Sequence, residues 1–228
     1  MNAAKQITVL LAEDHVVVRE GLSSLLNVDG GFRILGEART GRQAVELALE
    51  LRPQVILMDI ALPMLNGLEA TKHILVTDPA AKVLILSAHS DDEYVVRAIA
   101  AGAIGFLEKQ SSAKILIKAI QEVAKGNVFY SPTIAKRQNL IQNKLRDRNG
   151  LLKPHSARLT SRETEVLQLI AEGSTNRQIG SLIGISVKTV EKHRQHLMDK
   201  LHIHDTAGLT RYAIAIGVIE TSVVSTIV

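Results

Sequence analysis

The chain has 228 residues, which is enough for two domains that each bury a hydrophobic core. It contains no cysteine, which excludes disulfide bonds and thiolate metal sites and is compatible with a cytoplasmic protein. The apolar segments near the two ends are short and contain acidic residues, so we expect no signal peptide, no transmembrane span and no membrane partner.

Charge is distributed unevenly along the chain. Residues 1–129 carry 13 Lys and Arg against 15 Asp and Glu, residues 130–158 carry 7 against 1, and residues 159–228 carry 7 against 7. Judged by charge alone, the basic segment is better interpreted as a solvated linker. A nearby polyanion is the alternative.

The first 129 residues alternate between short apolar runs, typical of buried strands, and amphipathic helical patterns. The predicted strands are 7–12, 33–37, 54–59, 82–87 and 104–108, and the predicted helices are 16–26, 41–51, 66–77, 91–101 and 111–125. Five repeats of this kind predict an α/β fold, a doubly wound five-stranded parallel sheet of the flavodoxin-like type.

Helical periodicity weakens between residues 130 and 158, and polar and basic residues dominate there. We interpret this segment as a linker, within which residues 133–145 could form a short helix.

The last 70 residues show helical patterns only, at about 160–172, 175–183, 186–201 and 205–217. Each helix begins at a residue able to cap it: Thr160 with Glu163, Ser174 or Thr175, Ser186, and Asp205. Two short helices joined by a tight turn with glycine are typical of a helix-turn-helix, whose second helix enters the DNA major groove.

Polar side chains with metal or phosphate chemistry follow the predicted strands. They are Glu13 and Asp14 after the first strand, Asp59 after the third, Ser87 after the fourth and Lys109 after the fifth. A single Asp at a strand end is more often a turn or helix cap, but no folding requirement explains these residue types at four strand ends. Ligands bind at the carboxyl ends of parallel strands, and clustered carboxylates need a hard cation such as Mg²⁺. The sequence therefore predicts a metal-assisted acyl-phosphate site.

These motifs resemble, in order and spacing, those of two-component response regulators of the NarL/FixJ subfamily. The receiver motifs are EDH at 13–15, MDIALPMLNG at 58–67, SAH at 87–89 and EK at 108–109, and the LuxR-type helix-turn-helix motif spans 159–201. The resemblance implies a receiver domain at 1–129, a linker at 130–158 and a DNA-binding domain at 159–228.

The resemblance implies that Asp59 accepts a phosphoryl group from a sensor histidine kinase and that the protein is not an enzyme in its own right. Mg²⁺ would be held by Glu13, Asp14, Asp59 and the backbone carbonyl of Ala61. Lys109 and Ser87 would contact the phosphoryl oxygens, and Ser87 with Phe106 would form the conformational switch.

The helix 186–201 is expected to direct Val190, Leu197 and Leu201 into the core. Glu191, Lys192 and Gln195 occupy base-reading positions by the resemblance, while Lys188, Thr189, His193 and Arg194 are candidates for phosphate contacts on double-stranded promoter DNA. A module without net charge favours binding as a homodimer. The helix 205–217, through Ala207, Leu209, Ala213 and Ile216, is the candidate dimer contact, with internal packing as its alternative. The segments 104–108 and 111–125 of the receiver could add a second contact that depends on phosphorylation.

Two other functions fit parts of the pattern. A haloacid-dehalogenase-type phosphatase also uses an aspartate nucleophile and Mg²⁺, but it usually carries a second Asp two residues later, where this chain has Ala61. A DNA binder that is independent of phosphorylation and uses its receiver only to dimerise is the other alternative.

Overall fold

The computed structural model of the chain describes residues 6–88, 91–136 and 159–219. The chain divides into two compact units, one that contains a β-sheet and one that contains the helices of residues 159–219. No helix within the described ranges is both long and apolar enough to cross a membrane.

The first unit is a parallel sheet with helices between its strands. The strands are β1 (Ile7–Ala12), β2 (Phe32–Ala38), β3 (Val55–Asp59), β4 (Val83–Ser87), β5 (Gly105–Glu108) and β6 (Phe129–Tyr130). The helices are α1 (Val16–Asp29), α2 (Gly41–Leu51), α3 (Gly67–Thr77), α4 (Asp92–Ala100), α5 (Ala113–Lys125) and α6 (Pro132–Ala135). The strand order is β2-β1-β3-β4-β5-β6. The chain adds β2 on one side of β1 and the later strands on the other side, as in a doubly wound fold.

Both faces of the sheet are apolar, which explains why the central strands are continuous hydrophobic runs. All five residues of β3 and all five of β4 are buried. Leu57, Leu84 and Leu107 pack on one face with Leu116 and Ile120 of α5. Alternate strand residues point to the opposite face, because successive side chains in a strand lie on opposite sides.

The five predicted strands are all present, and a sixth strand was missed. Phe129 and Tyr130 pair with Gly105 and Phe106, which places β6 at the edge of the sheet. Two residues are too few to show an alternation pattern, so the sequence carried no strand signal there. β5 lies between β4 and β6 and its Gly105, Phe106 and Leu107 are buried, which argues against a dimer contact through these three residues. The contact through 104–108 and 111–125 stays a prediction.

The predicted linker begins where the sheet ends. Residues 131–136 contain the short helix α6, whose Ile134 is buried. The remainder of the predicted helix 133–145 lies outside the described residues.

The second unit is helical, as predicted, with α7 (Ser161–Ala171), α8 (Asn176–Ile183), α9 (Val187–Leu201) and α10 (Thr206–Ala215). Its core combines Val166 and Ile170 of α7, Ile179 of α8 and Val190 and Leu197 of α9. Leu201 is partly buried and packs against the same core, so the predicted inward face of α9 is confirmed.

The capping residues predicted from the sequence are confirmed. Thr160 and Thr175 each form a capping box, with Glu163 and Gln178 respectively. Ser186 accepts a hydrogen bond from the Thr189 backbone at the start of α9. Each cap satisfies a backbone N–H that the first helical turn cannot pair, which is why these helices begin where they do.

Helix α10 contributes its apolar residues to the core of its own unit. Leu209 and Ala213 are fully buried there, while Ile216 is only partly buried and packs against the same core. The alternative of internal packing is therefore correct for Leu209 and Ala213. Of the four residues suggested for dimer contact, only Ala207 is exposed.

Candidate functional site

The carboxyl ends of β1, β3, β4 and β5 meet at one edge of the sheet. The register places Ala12 beside Met58, Asp59 beside Leu86 and Ser87 beside Glu108. Glu13 and Asp14 directly follow β1, and Lys109 directly follows β5. The predicted residues thus lie together at this edge. We call their site the acidic pocket, and it consists of Glu13, Asp14, Asp59, Ser87 and Lys109.

Lys109 bridges two buried carboxylates in the acidic pocket. Its Nζ lies 2.8 Å from Glu13 Oε2 and 2.9 Å from Asp59 Oδ1. Glu13, Asp59 and Ser87 are each 1% exposed. Charges buried to this degree are stable only when they are paired, so the lysine compensates for part of the acidic charge.

The pairing dominates the acid–base behaviour of Lys109. Burial alone acts to lower its pKa, because desolvation disfavours the charged ammonium. The charge of Asp59 and the hydrogen bonds and charge of Glu13 outweigh that effect, so the pKa of Lys109 is raised above its ordinary value. The side chain is therefore a cation at neutral pH.

The pocket also groups donor atoms suited to a metal ion. One ligand atom from each of Glu13, Asp14, His15 and Asp59 lies within 4.8 Å of the others. Three of the four are carboxylate oxygens, the ligands that hard divalent cations such as Mg²⁺ prefer. Ala61, whose carbonyl was predicted as a further ligand, is buried two residues after Asp59. The three carboxylates therefore fit the predicted metal.

Arg19 supports the loop that carries the first two acids, and the sequence did not reveal it. This α1 side chain is 3% exposed. Its Nη1 donates to the carbonyls of Glu13 at 2.9 Å and Asp14 at 3.2 Å, and its Nε donates to Glu37 at 3.1 Å. An arginine in the second turn of a surface helix is normally exposed to solvent, so only the folded arrangement identifies this role.

Gly67 allows the start of α3 to approach β3 directly. A Cβ built at this position would lie 1.9 Å from the carbonyl oxygen of Asp59, which no side chain tolerates. The Gly67 backbone N–H donates to the carbonyl of Ile60 at 2.9 Å. Gly67 therefore sets the path of the chain beside Asp59.

Phe106, the predicted partner of Ser87 in the switch, is fully buried on β5. Ser87 ends the neighbouring strand β4, opposite Glu108. The two residues thus lie on adjacent strands, with the aromatic ring already in the protein interior.

Helix α9 presents a polar surface away from the core. The exposed side chains among the predicted DNA contacts are Lys188, Glu191, Lys192 and Gln195, and those of intermediate burial are Thr189, His193 and Arg194. The exposed group contains all three base-reading candidates and one phosphate-contact candidate, Lys188.

Two of the predicted phosphate-contact residues already bind within their own unit. Arg194 donates to Asn176 Oδ1 at 3.1 Å and to Thr206 Oγ1 at 3.4 Å, so it links α9 to the first residues of α8 and α10. The Thr189 hydroxyl lies 2.8 Å from that of Ser186 at the helix cap. These contacts fix the orientation of α9 and therefore of its exposed face.

Comparison with known families defines the class of protein. The family described as "Response regulator receiver domain" matches residues 9–121, and the family described as "Bacterial regulatory proteins, luxR family" matches residues 157–213. The two matches coincide with the unit that carries the acidic pocket and the unit that carries α9.

The similarity extends along the chain. It is 39% identical over 209 residues to the transcriptional regulatory protein LiaR of Bacillus subtilis (strain 168), covering 91% of this chain and 96% of LiaR. It is 36% identical to the transcriptional regulatory protein DegU of Brevibacillus brevis, covering 88% and 89%. The crystal structure of a LuxR-family two-component response regulator from Aurantimonas sp. SI85-9A1 matches with a TM-score of 0.58 and 33% identity, covering 61% of this chain and 99% of that one.

The chain therefore belongs to the two-component response regulators of the NarL/FixJ family, with a receiver domain followed by a LuxR-type DNA-binding domain. Its similar proteins are transcriptional regulators. This membership sets aside the phosphatase alternative.

Proposed function

We propose that phosphorylation of Asp59 switches this response regulator. The protein binds promoter DNA as a homodimer, and α9 of each copy contacts the DNA. The observation that carries the proposal is the Lys109 ammonium within 2.9 Å of Asp59, in a pocket that also gathers the Glu13 and Asp14 carboxylates. No folding requirement accounts for a buried cation among three acids at a sheet edge.

Asp59 is placed to act as the nucleophile toward a phosphohistidine of a sensor kinase. Its carboxylate oxygen forms a bond to phosphorus as the bond from phosphorus to the imidazole nitrogen breaks. Lys109, whose Nζ lies 2.9 Å from Asp59 Oδ1, and the Ser87 hydroxyl would donate to the phosphoryl oxygens, where negative charge must be stabilised. Mg²⁺ held by Glu13, Asp14, Asp59 and the Ala61 carbonyl would neutralise further charge on the transferring group.

The output follows from the exposed face of α9. Lys192 can donate to guanine and Gln195 can pair with adenine, while Glu191 accepts only from cytosine. Lys188 and His193 would contact phosphates, which position the helix without reading sequence. Since the proposed partner is chromosomal DNA, we place the protein in the cytoplasm.

A dimer is proposed because one short helix offers few phosphate contacts. Two modules would read half-sites about one helical turn, or ~10 base pairs, apart. The exposed Ala207 on α10 is the candidate contact from the original set that the core of the unit leaves available.

Labelling with acetyl phosphate in the presence of Mg²⁺ tests the phosphorylation site. Wild type should incorporate one phosphoryl group, and Asp59→Asn should incorporate none, because an amide cannot act as the nucleophile. Asp29→Asn is the matched control, since Asp29 is an exposed aspartate at the end of α1 and should not affect labelling. Labelling of Asp59→Asn at the wild-type level would overturn the assignment.

A further inference from the structure

His15 brings a nitrogen ligand to the acidic pocket. Its Nδ1 lies 3.1 Å from Asp14 Oδ1 and 3.3 Å from Glu13 Oε1. The imidazole is 48% exposed, so it stands at the mouth of the pocket and not in its interior.

The position of His15 in the chain does not explain this orientation. His15 is the N-cap residue of α1, yet its side chain makes no capping hydrogen bond. Its backbone N–H instead donates to Glu13 Oε1 at 3.2 Å, which ties the residue to the pocket through both backbone and side chain. Histidine is also a poor N-cap compared with Ser, Thr, Asp or Asn, so helix formation does not require it here.

The distances suit a shared metal ion. Two ligand atoms that bind one ion at 2.0–2.1 Å and at right angles to each other are about 3 Å apart. The separations from His15 Nδ1 to the two carboxylate oxygens are close to this value. An oxygen-only site favours Mg²⁺, whereas an imidazole ligand favours transition metals.

We propose that His15 is a metal ligand that shifts the selectivity of the acidic pocket from Mg²⁺ toward first-row transition ions such as Mn²⁺. Mg²⁺ retains water in place of the imidazole, because it dehydrates reluctantly and prefers oxygen. This inference rests on the proposed function, since it assumes that the pocket holds a divalent cation.

Pulsed electron paramagnetic resonance of Mn²⁺ bound to the full-length protein tests the proposal directly. Wild type should show coupling of the manganese to a ¹⁴N nucleus of a bound imidazole, and His15→Gln should lose it. The ratio of Mn²⁺ to Mg²⁺ affinity should fall about tenfold in His15→Gln. Its Mg²⁺ affinity should be retained, which also shows that the variant folds.

His204→Gln is the matched control, because His204 is an exposed histidine in the helical unit. This variant should keep the nitrogen coupling and the affinity ratio of wild type. Loss of the coupling in His204→Gln, or its persistence in His15→Gln, would overturn the assignment to His15.

Asp59→Asn separates this inference from the proposed function. If the acidic pocket binds divalent cations, Asp59→Asn should lower the affinities for Mg²⁺ and for Mn²⁺ by the same factor. If Mg²⁺ binding depends on Asp59 but wild type shows no coupling of Mn²⁺ to nitrogen, only the role of His15 is overturned. Absence of any Asp59-dependent cation binding would overturn both.

Discussion

At the scale of single residues, Lys109 shows how the acidic pocket tolerates its own charge. Glu13 and Asp59 are buried at the same sheet edge, and two unpaired buried carboxylates would repel each other and partly protonate. The ammonium of Lys109 contacts both, so one residue pairs with two carboxylates and compensates for part of their charge. The same group is the one proposed to stabilise the phosphoryl oxygens, so stability and function depend on a single cation.

Replacing Lys109 with methionine should destabilise the receiver when divalent cations are absent. Removal of one partner from a buried ion pair costs about 3–5 kcal/mol, and we expect the lower end because Lys109 keeps some contact with water. Urea unfolding with a chelator present measures the change. Lys125→Met is the control, since Lys125 pairs with Glu122 in solvent and its loss should have little effect. Equal stability of Lys109→Met and wild type would contradict the compensating role.

The raised pKa of Lys109 predicts the pH range of this contribution. The folded protein holds the lysine proton more tightly than the unfolded chain does, so the stabilisation is complete below the ordinary pKa of 10.5. It is lost as the pH rises through the higher pKa of the folded state. On the alkaline side of neutrality, the stability difference between wild type and Lys109→Met should stay constant until about pH 10 and shrink above it. A decline between pH 7 and 9 would show that the pKa is lowered instead.

At the scale of elements, close approach of α3 to β3 sets the backbone around Asp59. Gly67 ends the motif at 58–67, and the structure gives it a steric role, because a Cβ would meet the Asp59 carbonyl. A helix start placed this tightly leaves Asp59, the proposed phosphorylation site, no room for a different loop path.

Gly67→Ala should therefore lower the free energy of unfolding by about 1–3 kcal/mol, the usual cost of overpacking. It should also slow the labelling of Asp59 by acetyl phosphate. Gly21→Ala is a control of opposite sign, since Gly21 lies inside α1 with nothing within 4 Å of a built Cβ. It should stabilise the helix by about 0.5–1 kcal/mol. Thermal or urea unfolding of both variants measures the changes, and a neutral Gly67→Ala would refute the steric argument.

Helix α9 gives a second prediction at this scale. Lys192→Ala should weaken binding to the preferred operator by about 1–3 kcal/mol and relax the preference at one base pair, if Lys192 reads a base. Lys188→Ala should weaken binding to all sequences alike, because a phosphate contact carries no sequence information. Fluorescence anisotropy with the preferred and a scrambled duplex separates the two. If both variants lose affinity for the preferred and the scrambled duplex to the same extent, the assignment of Lys192 to a base and Lys188 to a phosphate is contradicted.

At the scale of the whole molecule, the chain joins the acidic pocket of the receiver to a LuxR-type DNA-binding domain, and assembly is the proposed link between them. Light scattering should show a rise in molar mass from monomer to dimer when Mg²⁺ and the phosphoryl mimic beryllofluoride are added. Asp59→Asn should stay monomeric, because the mimic attaches through the aspartate. An unchanged mass with the mimic demonstrably bound would contradict a dimerisation switch and favour a constitutive dimer or domain opening.

The local signals in this sequence were sufficient for most of the fold. The apolar runs identified β1 to β5 because buried parallel strands are apolar on both faces, and the caps at Thr160, Thr175 and Ser186 marked helix starts because those side chains satisfy nearby backbone groups. Helix ends were less well defined: α1 continues three residues beyond its predicted end, to Asp29. β6 escaped detection because two residues do not make a pattern.

The sequence by itself determined which residue types stand at the strand ends, since these follow directly from the order of residues along each run. Only the tertiary structure decided which of them touch. Lys109 reaches Glu13 because the parallel order β1-β3-β4-β5 brings the carboxyl ends of β1 and β5 to one edge of the sheet, and strand order is not a local property. Arg19 contacts Glu37 for the same kind of reason, because α1 packs beside β2. The contacts of His15 with Glu13 and Asp14 join residues that are adjacent in the chain, and they depend on how the backbone turns from β1 into α1.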